Sequence, residues 1–115
     1  MRIINLRNNA VLANKARVAN TYWSRLIGLL NRHSLEQGEA LILKPSCSIH
    51  TLFMRFAIDV IFLDKTGRII GALPLFRPFR ISPIYPNSSI IIELPANTLK
   101  VTKTQVGDTI KISLD

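Results

Sequence analysis

Two apolar stretches joined by a short polar turn constrain the fold of this chain more than any other feature. The stretches cover residues 58–63 and 68–75, and residues 64–67 between them read Asp-Lys-Thr-Gly. An aspartate can accept hydrogen bonds from a turn backbone, and a glycine supplies the left-handed residue of a hairpin bulge. The sequence therefore predicts an antiparallel β-hairpin, with Asp59 among apolar neighbours in its first strand.

Short apolar segments separated by turn residues predict further strands along the chain. Asn8 and Asn9 favour a turn between the first two, because asparagine tolerates positive φ. Two short helices are also predicted, over residues 22–32 from apolar positions at helical spacing and over about 96–103 from Pro95 at a first helical position. The predicted strands outside the hairpin cover residues 3–6, 11–19, 40–43, 89–94 and 109–114.

These elements place the chain in the α+β class, with mostly β structure. We expect a compact single domain over residues 1–115, built as a barrel-like or sandwich-like antiparallel sheet with two short helices. No apolar run approaches the roughly 20 residues that cross a bilayer, and a single cysteine excludes an internal disulfide. The sequence therefore predicts a cytoplasmic protein without a membrane span.

The chain is strongly basic, with a formal net charge of +8 at pH 7. A basic surplus is typical of proteins that bind nucleic acid, anionic membranes or acidic ligands. The fifteen basic residues are scattered, however, and no run of five like charges occurs. Nucleic-acid binding is therefore an alternative rather than the leading hypothesis.

Several stretches in this order and spacing resemble the family catalogued as domain of unknown function 192. They are SRLIGLLNR at 24–32, IHTLFMRFAIDVIFL at 49–63, the turn at 64–67, RPFR at 77–80, ELPA at 93–96 and VGD at 106–108. The resemblance implies a small β-rich fold and no established activity. Asn97 departs from the family pattern, which commonly has glycine at this position.

Asp59 lies between Ile58 and Val60 in an apolar strand. A carboxylate that faces a core costs several kcal/mol unless it is paired or bonded to donors. The functional interpretation is a general acid, a general base or a ligand-holding acceptor. The structural interpretation, which we favour, is a carboxylate satisfied by backbone amides or an arginine that holds a loop in place.

Cys47 and His50 form a C-x-x-H pattern just before this strand. A zinc site usually needs four ligands, so we expect no metal. A cysteine nucleophile with His50 as its base and Asp59 as the orienting group is a chemical alternative. In an extended chain Met54 shares a face with His50 and would flank it as an apolar wall or, more simply, pack as core, whereas Thr51 lies on the other face and is a further candidate ligand contact.

Arg77 and Arg80 lie beside aromatic residues in a proline-rich stretch. They could bind an anion or a nucleic acid. The simpler expectation is that Arg80 pairs with Glu93, which stands between Ile92 and Leu94 and needs a partner.

The leading hypothesis is a small non-catalytic domain that binds a small ligand or a protein partner, without a cofactor. Its polar cluster is centred on Cys47, His50 and Asp59. The alternatives are an enzyme that uses these three residues and an anion or nucleic-acid binder that uses the Arg77–Arg80 loop. The candidate ligand contacts are His50, Thr51, Met54, Asp59, Arg77, Arg80 and Glu93.

Overall fold

The computed structural model describes residues 1–19, 35–43, 56–78 and 80–114. Within these ranges the chain forms eight strands and one helix. The predicted helix over 22–32 lies outside the described residues. In chain order the elements are β1 (Arg2–Asn5), β2 (Val11–Ala13), β3 (Lys15–Ala19), β4 (Glu39–Leu43), β5 (Ile58–Leu63), β6 (Ile69–Phe76), β7 (Ile90–Pro95), α1 (Thr98–Thr102) and β8 (Ile110–Ser113).

The strands form two sheets that share one core. The smaller sheet has the order β2-β1-β8 and the larger has the order β3-β4-β7-β5-β6. Apolar side chains from both sheets and from α1 meet between them. The architecture is therefore mostly β with two sheets, as the sandwich-like alternative expected, and the described strands do not close into a barrel. The buried residues at this interface include Ile3, Leu12, Ile42, Ile61, Leu63, Ile92, Leu94, Leu99 and Ile110.

The predicted strand over residues 11–19 is two strands in different sheets. β2 pairs with β1, whereas β3 pairs with β4. The chain breaks at Asn14, where the backbone N–H groups of Asn14 and Lys15 both donate to the Gly38 carbonyl, at 3.0 and 2.8 Å. This distant acceptor lets the chain leave one sheet and enter the other. The alternation of apolar and polar residues over 11–19 does not indicate this interruption of the strand.

One strand pair is parallel, which corrects the expectation of an antiparallel sheet. β3 and β4 run in the same direction, with Lys15 opposite Glu39 and Ala19 opposite Leu43. A parallel pair needs a crossover connection of a dozen or more residues, and the chain between these strands is long enough for one.

The predicted hairpin is confirmed. Asp64 Oδ1 accepts hydrogen bonds from the N–H groups of Thr66 and Arg68, at 2.9 and 3.1 Å. Gly67 has φ of 87°, and a Cβ at this position would lie 2.8 Å from the Ile110 carbonyl oxygen. The turn thus requires both residues on which the prediction depended.

The side chains of β5 alternate between the two faces of the larger sheet. Ile61 and Leu63 join the core between the sheets, whereas Ile58, Val60 and Phe62 join a second cluster on the far face of the larger sheet. The larger sheet is therefore apolar on both faces.

The second predicted helix is shorter than expected and begins later. Pro95 ends β7, and α1 covers only Thr98–Thr102. Asn97 lies between them with φ of 73°, in the left-handed region that asparagine tolerates better than most residues. This turn explains why the chain leaves the sheet here, and why glycine is common at the matching position of the family that the chain resembles.

Candidate functional site

Asp59 is fully buried and joins two distant backbone segments. Its Oδ1 accepts the Leu75 N–H of β6 at 2.9 Å, and its Oδ2 accepts the Leu99 N–H of α1 at 2.8 Å. Both carboxylate oxygens thus bind backbone donors, as the structural interpretation of Asp59 expected. The residue anchors one sheet edge to the helix.

A β-bulge lies opposite Asp59. Ile58 pairs with Phe76 and Val60 pairs with Leu73, so that Pro74 and Leu75 together oppose Asp59. Bulges of this kind bend a strand and redirect a side chain. Proline has no N–H to donate, so the Leu75 amide is the donor that the bulge offers to the carboxylate.

Leu75 has an uncommon backbone conformation. Its φ of 51° lies in the left-handed region, which a leucine rarely adopts because its Cβ crowds the backbone. The residue is 51% exposed to solvent. Strained residues that surrounding contacts hold in place occur most often at functional sites.

Residues 74–86, which we call the proline-rich segment, expose two further apolar side chains. Ile81 is 68% exposed and Ile84 is 69% exposed. The segment also contains Arg77 and Arg80, and it contains no acidic residue. Both arginines are exposed, and each makes an interaction within the chain.

Tyr85 fixes the far end of this segment to the sheet. Its ring lies 4.1 Å from the ring of Phe62, measured between centroids, with 34° between the ring planes. It also covers Gly71 of β6, where an added Cβ would lie 2.5 Å from Tyr85 Cε1. Asp59 at one end and Tyr85 at the other thus attach the proline-rich segment to the larger sheet.

Glu93 is fully buried in β7, on the face of the sheet opposite to Asp59. It pairs across the sheet with Leu41 and Val60, whereas Asp59 pairs with Leu94. Glu93 makes a polar interaction within the chain. The expected Arg80–Glu93 ion pair stays a prediction.

The C-x-x-H residues and their neighbours, Cys47, His50, Thr51 and Met54, lie outside the described residues. Their roles as nucleophile, base or ligand contacts stay predictions. Across residues 1–19, 35–43, 56–78 and 80–114, no three histidine, cysteine or acidic side chains are grouped as metal ligands.

A polar network that the sequence did not indicate ties β1 to the last turn. Asp108 is buried and accepts hydrogen bonds from Arg7 Nε at 2.7 Å, from Asn5 Nδ2 at 2.8 Å and from the Gln105 N–H at 3.0 Å. These donors lower the pKa of Asp108 from 3.8 to about 2, and the hydrogen bond from Arg7 is the largest cause. Arg7 and Asn5 are about a hundred positions from Asp108 in the chain, so that no local spacing reveals these two partners.

A groove of about 670 Å³ lies between the β2–β3 junction and α1. Its walls mix apolar side chains such as Val11 and Val101 with polar ones such as Asn14, Lys15 and Asn97. The helix found in the described part of the chain is too short to cross a membrane.

Comparisons with known proteins identify relatives that share most of this chain. The family known as domain of unknown function 192, described as "Uncharacterized ACR", matches residues 3–112. A UPF0127 protein of Pyrococcus horikoshii is 33% identical over 112 residues, covering 95% of this chain and 96% of the relative. One of Thermococcus sibiricus is 30% identical over 112 residues, covering 94% of this chain and 72% of the relative.

Two crystal structures have the same fold. A protein of unknown function from Novosphingobium aromaticivorans superimposes with a TM-score of 0.80 at 16% identity, covering 96% of this chain and 82% of its own. A Sinorhizobium meliloti protein, provisionally named a transcription regulator, gives a TM-score of 0.76 at 17% identity, covering 96% and 89%. With the match over residues 3–112, the chain belongs to the family of domain of unknown function 192.

Proposed function

We propose that this protein is a non-catalytic domain that docks onto an acidic protein partner through its proline-rich segment. The observation that carries the proposal is the exposure of Leu75, Ile81 and Ile84 by 51%, 68% and 69% within one stretch of chain. Single exposed apolar residues are normal on a protein surface, whereas a concentration of them marks an interaction site.

The attachment of the segment supports docking. At one end of the segment, the exposed Leu75 lies in a bulge and donates its N–H to Asp59. At the other end, Tyr85 packs on Phe62. A segment fixed at both ends loses less conformational entropy when a partner binds than a free loop does. Its exposed side chains are therefore presented in an arrangement that a partner can match.

The charge of the segment supports an acidic partner. Arg77 and Arg80 are its charged residues, and the chain as a whole carries a formal net charge of +8. Complementary charge accelerates association and disfavours basic partners. The partner chemistry that fits is a surface or peptide with apolar side chains between carboxylates.

The position of Asp59 supports a non-catalytic role. In the enzyme alternative, Asp59 orients His50, and His50 is the base that activates Cys47 as a nucleophile. Both Asp59 oxygens instead accept backbone N–H groups, from Leu75 and Leu99. This arrangement favours an anchoring role over an orienting one.

The test uses a fluorescent peptide of alternating glutamate and leucine, titrated with the protein and followed by anisotropy. The double variant Ile81→Ser/Ile84→Ser is compared with Val101→Ser/Val106→Ser, which removes side chains that are 75% and 56% exposed outside the segment. We expect the first variant to weaken binding by about tenfold or more and the second to leave it unchanged.

Two further probes separate the alternatives. A peptide with lysine in place of glutamate should not bind, and a single-stranded oligonucleotide should bind weakly. Equal affinity of both double variants for the acidic peptide would contradict the proposal. Tight oligonucleotide binding that falls steeply with salt would replace it with the nucleic-acid alternative.

A further inference from the structure

We infer that Asp59 is the positioning residue of the docking surface: its carboxylate holds Leu75 in the left-handed conformation that presents the leucine side chain to a partner. The inference rests on the proposed function and adds to it the residue that sets the shape of the surface. Asp59 is itself fully buried and is not a contact residue.

The conformation of Leu75 requires an external cause. A left-handed leucine is strained because its Cβ crowds the backbone, and it persists only where the surrounding structure holds it. Pro74 before it has no N–H and cannot donate a ladder hydrogen bond that would hold the bulge. The 2.9 Å bond from the Leu75 N–H to Asp59 Oδ1 is the contact that fixes this position.

The second oxygen keeps the carboxylate in place. Asp59 Oδ2 accepts the Leu99 N–H at 2.8 Å, so the side chain is held from α1 as well as from β6. Bonds from N–H groups to a charged acceptor are about twice as strong as those between neutral groups. A carboxylate provides two acceptor oxygens here, whereas the amide of an asparagine provides one oxygen and would place an NH₂ group against an N–H donor.

The experiment first measures Leu75 without any partner. In ¹⁵N-labelled protein, Asp59→Asn should shift the Leu75 amide proton upfield and move its HN–Hα coupling toward the value of an extended residue. The matched control is Asp64→Asn in the same hairpin, because Asp64 bonds to Thr66 and Arg68 and not to Leu75. That control should leave the Leu75 signals unchanged.

The second measurement is binding of the glutamate–leucine peptide. Asp59→Asn should weaken binding by about tenfold, the loss expected when a hydrogen bond to a charged group no longer positions a contact residue. Asp64→Asn should bind as the unmodified protein does. Adding Leu75→Gly to Asp59→Asn should restore thermal stability, because glycine adopts positive φ without strain, but should not restore binding.

The outcomes separate this inference from the proposed function. Unchanged Leu75 signals in Asp59→Asn and also in Asp59→Ala, which keeps no acceptor oxygen at this position, would overturn the inference, whatever the peptide does. Responsive Leu75 signals in a protein that never binds the peptide would instead overturn the proposed function. If Asp59→Asn does not fold, hydrogen exchange in the unmodified protein decides, because a Leu75 amide that exchanges as fast as an unprotected one has no bond to Asp59.

Discussion

Asp108 shows at the scale of one residue how this fold binds its first strand to its last turn. Its buried carboxylate accepts hydrogen bonds from the side chains of Arg7 and Asn5 and from the Gln105 backbone N–H. The ion pair with Arg7 is 2.7 Å long, and the Asp108 side chain is 3% exposed whereas that of Arg7 is 47% exposed. The carboxylate is thus the buried partner, and the stability of the network depends on its charge.

The acid stability of the protein should follow Asp108. Its folded pKa of about 2 lies below the ordinary value of 3.8, so its contribution is complete above about pH 4 and is lost as the pH falls toward 2. Because Arg7, the main cause of the lowered pKa, is half-exposed and screened by solvent, the contribution to stability is on the order of 1 kcal/mol. Urea unfolding between pH 2 and pH 6 measures this contribution, with Asp108→Asn as the comparison. Parallel pH dependence in the two proteins would contradict the assignment.

At the scale of elements, Tyr85 attaches the proline-rich segment to β6 by packing over Gly71, which has no side chain. A Cβ on Gly71 would lie 2.5 Å from the nearest carbon of the tyrosine ring, which is too close for the ring to stay in place. The ring also rests on Phe62 of β5, a residue with no solvent exposure. Glycine at position 71 is therefore required by packing rather than by a turn.

Gly71→Ala should lower the free energy of unfolding by about 1–3 kcal/mol, because the tyrosine ring must move out of a packed site. In a Tyr85→Ala background the same substitution should cost almost nothing. Chemical denaturation of the four proteins in this cycle measures the coupling between the two positions. Additive effects would show that the ring does not pack over Gly71.

At the scale of the whole molecule, local elements were predictable and their long-range contacts were not. The hairpin and the Asn8–Asn9 turn depend on neighbouring residues and are confirmed, with Asn9 at φ of 59°. The break at Asn14 depends on the Gly38 carbonyl in a distant turn. The barrel-like alternative was wrong because that break assigns β2 and β3 to separate sheets.

In the candidate site, too, the burial of a residue could be predicted from its neighbours, whereas its distant contacts could not. Apolar neighbours indicated that Asp59 was buried, but its donors are 16 and 40 positions away and no spacing identifies them. Cys47 and His50 lie outside the described residues, so their predicted roles stay predictions. The exposure of Ile81 and Ile84 depends on the path of the proline-rich segment over the sheet, which composition does not give.

The charge of the proline-rich segment predicts how docking responds to salt. Arg77 and Arg80 are the only charged residues in the segment, and its apolar side chains supply the other contacts with the partner. Raising the salt concentration from about 0.1 M to about 1 M shortens the Debye length from roughly 10 Å to 3 Å. Affinity for the acidic peptide should therefore fall by about tenfold or less. A loss of a thousandfold would mean that charge and not apolar contact dominates.

The central claim is that the proline-rich segment is the surface on which a partner docks. The most direct measurement is a titration of ¹⁵N-labelled protein with the glutamate–leucine peptide, followed by amide chemical shifts. We predict that the largest shifts occur at Leu75, Arg77, Ile81 and Ile84, with small shifts around Val101 and Val106. Shifts confined to the groove beside α1, or spread evenly over the basic residues, would contradict the claim.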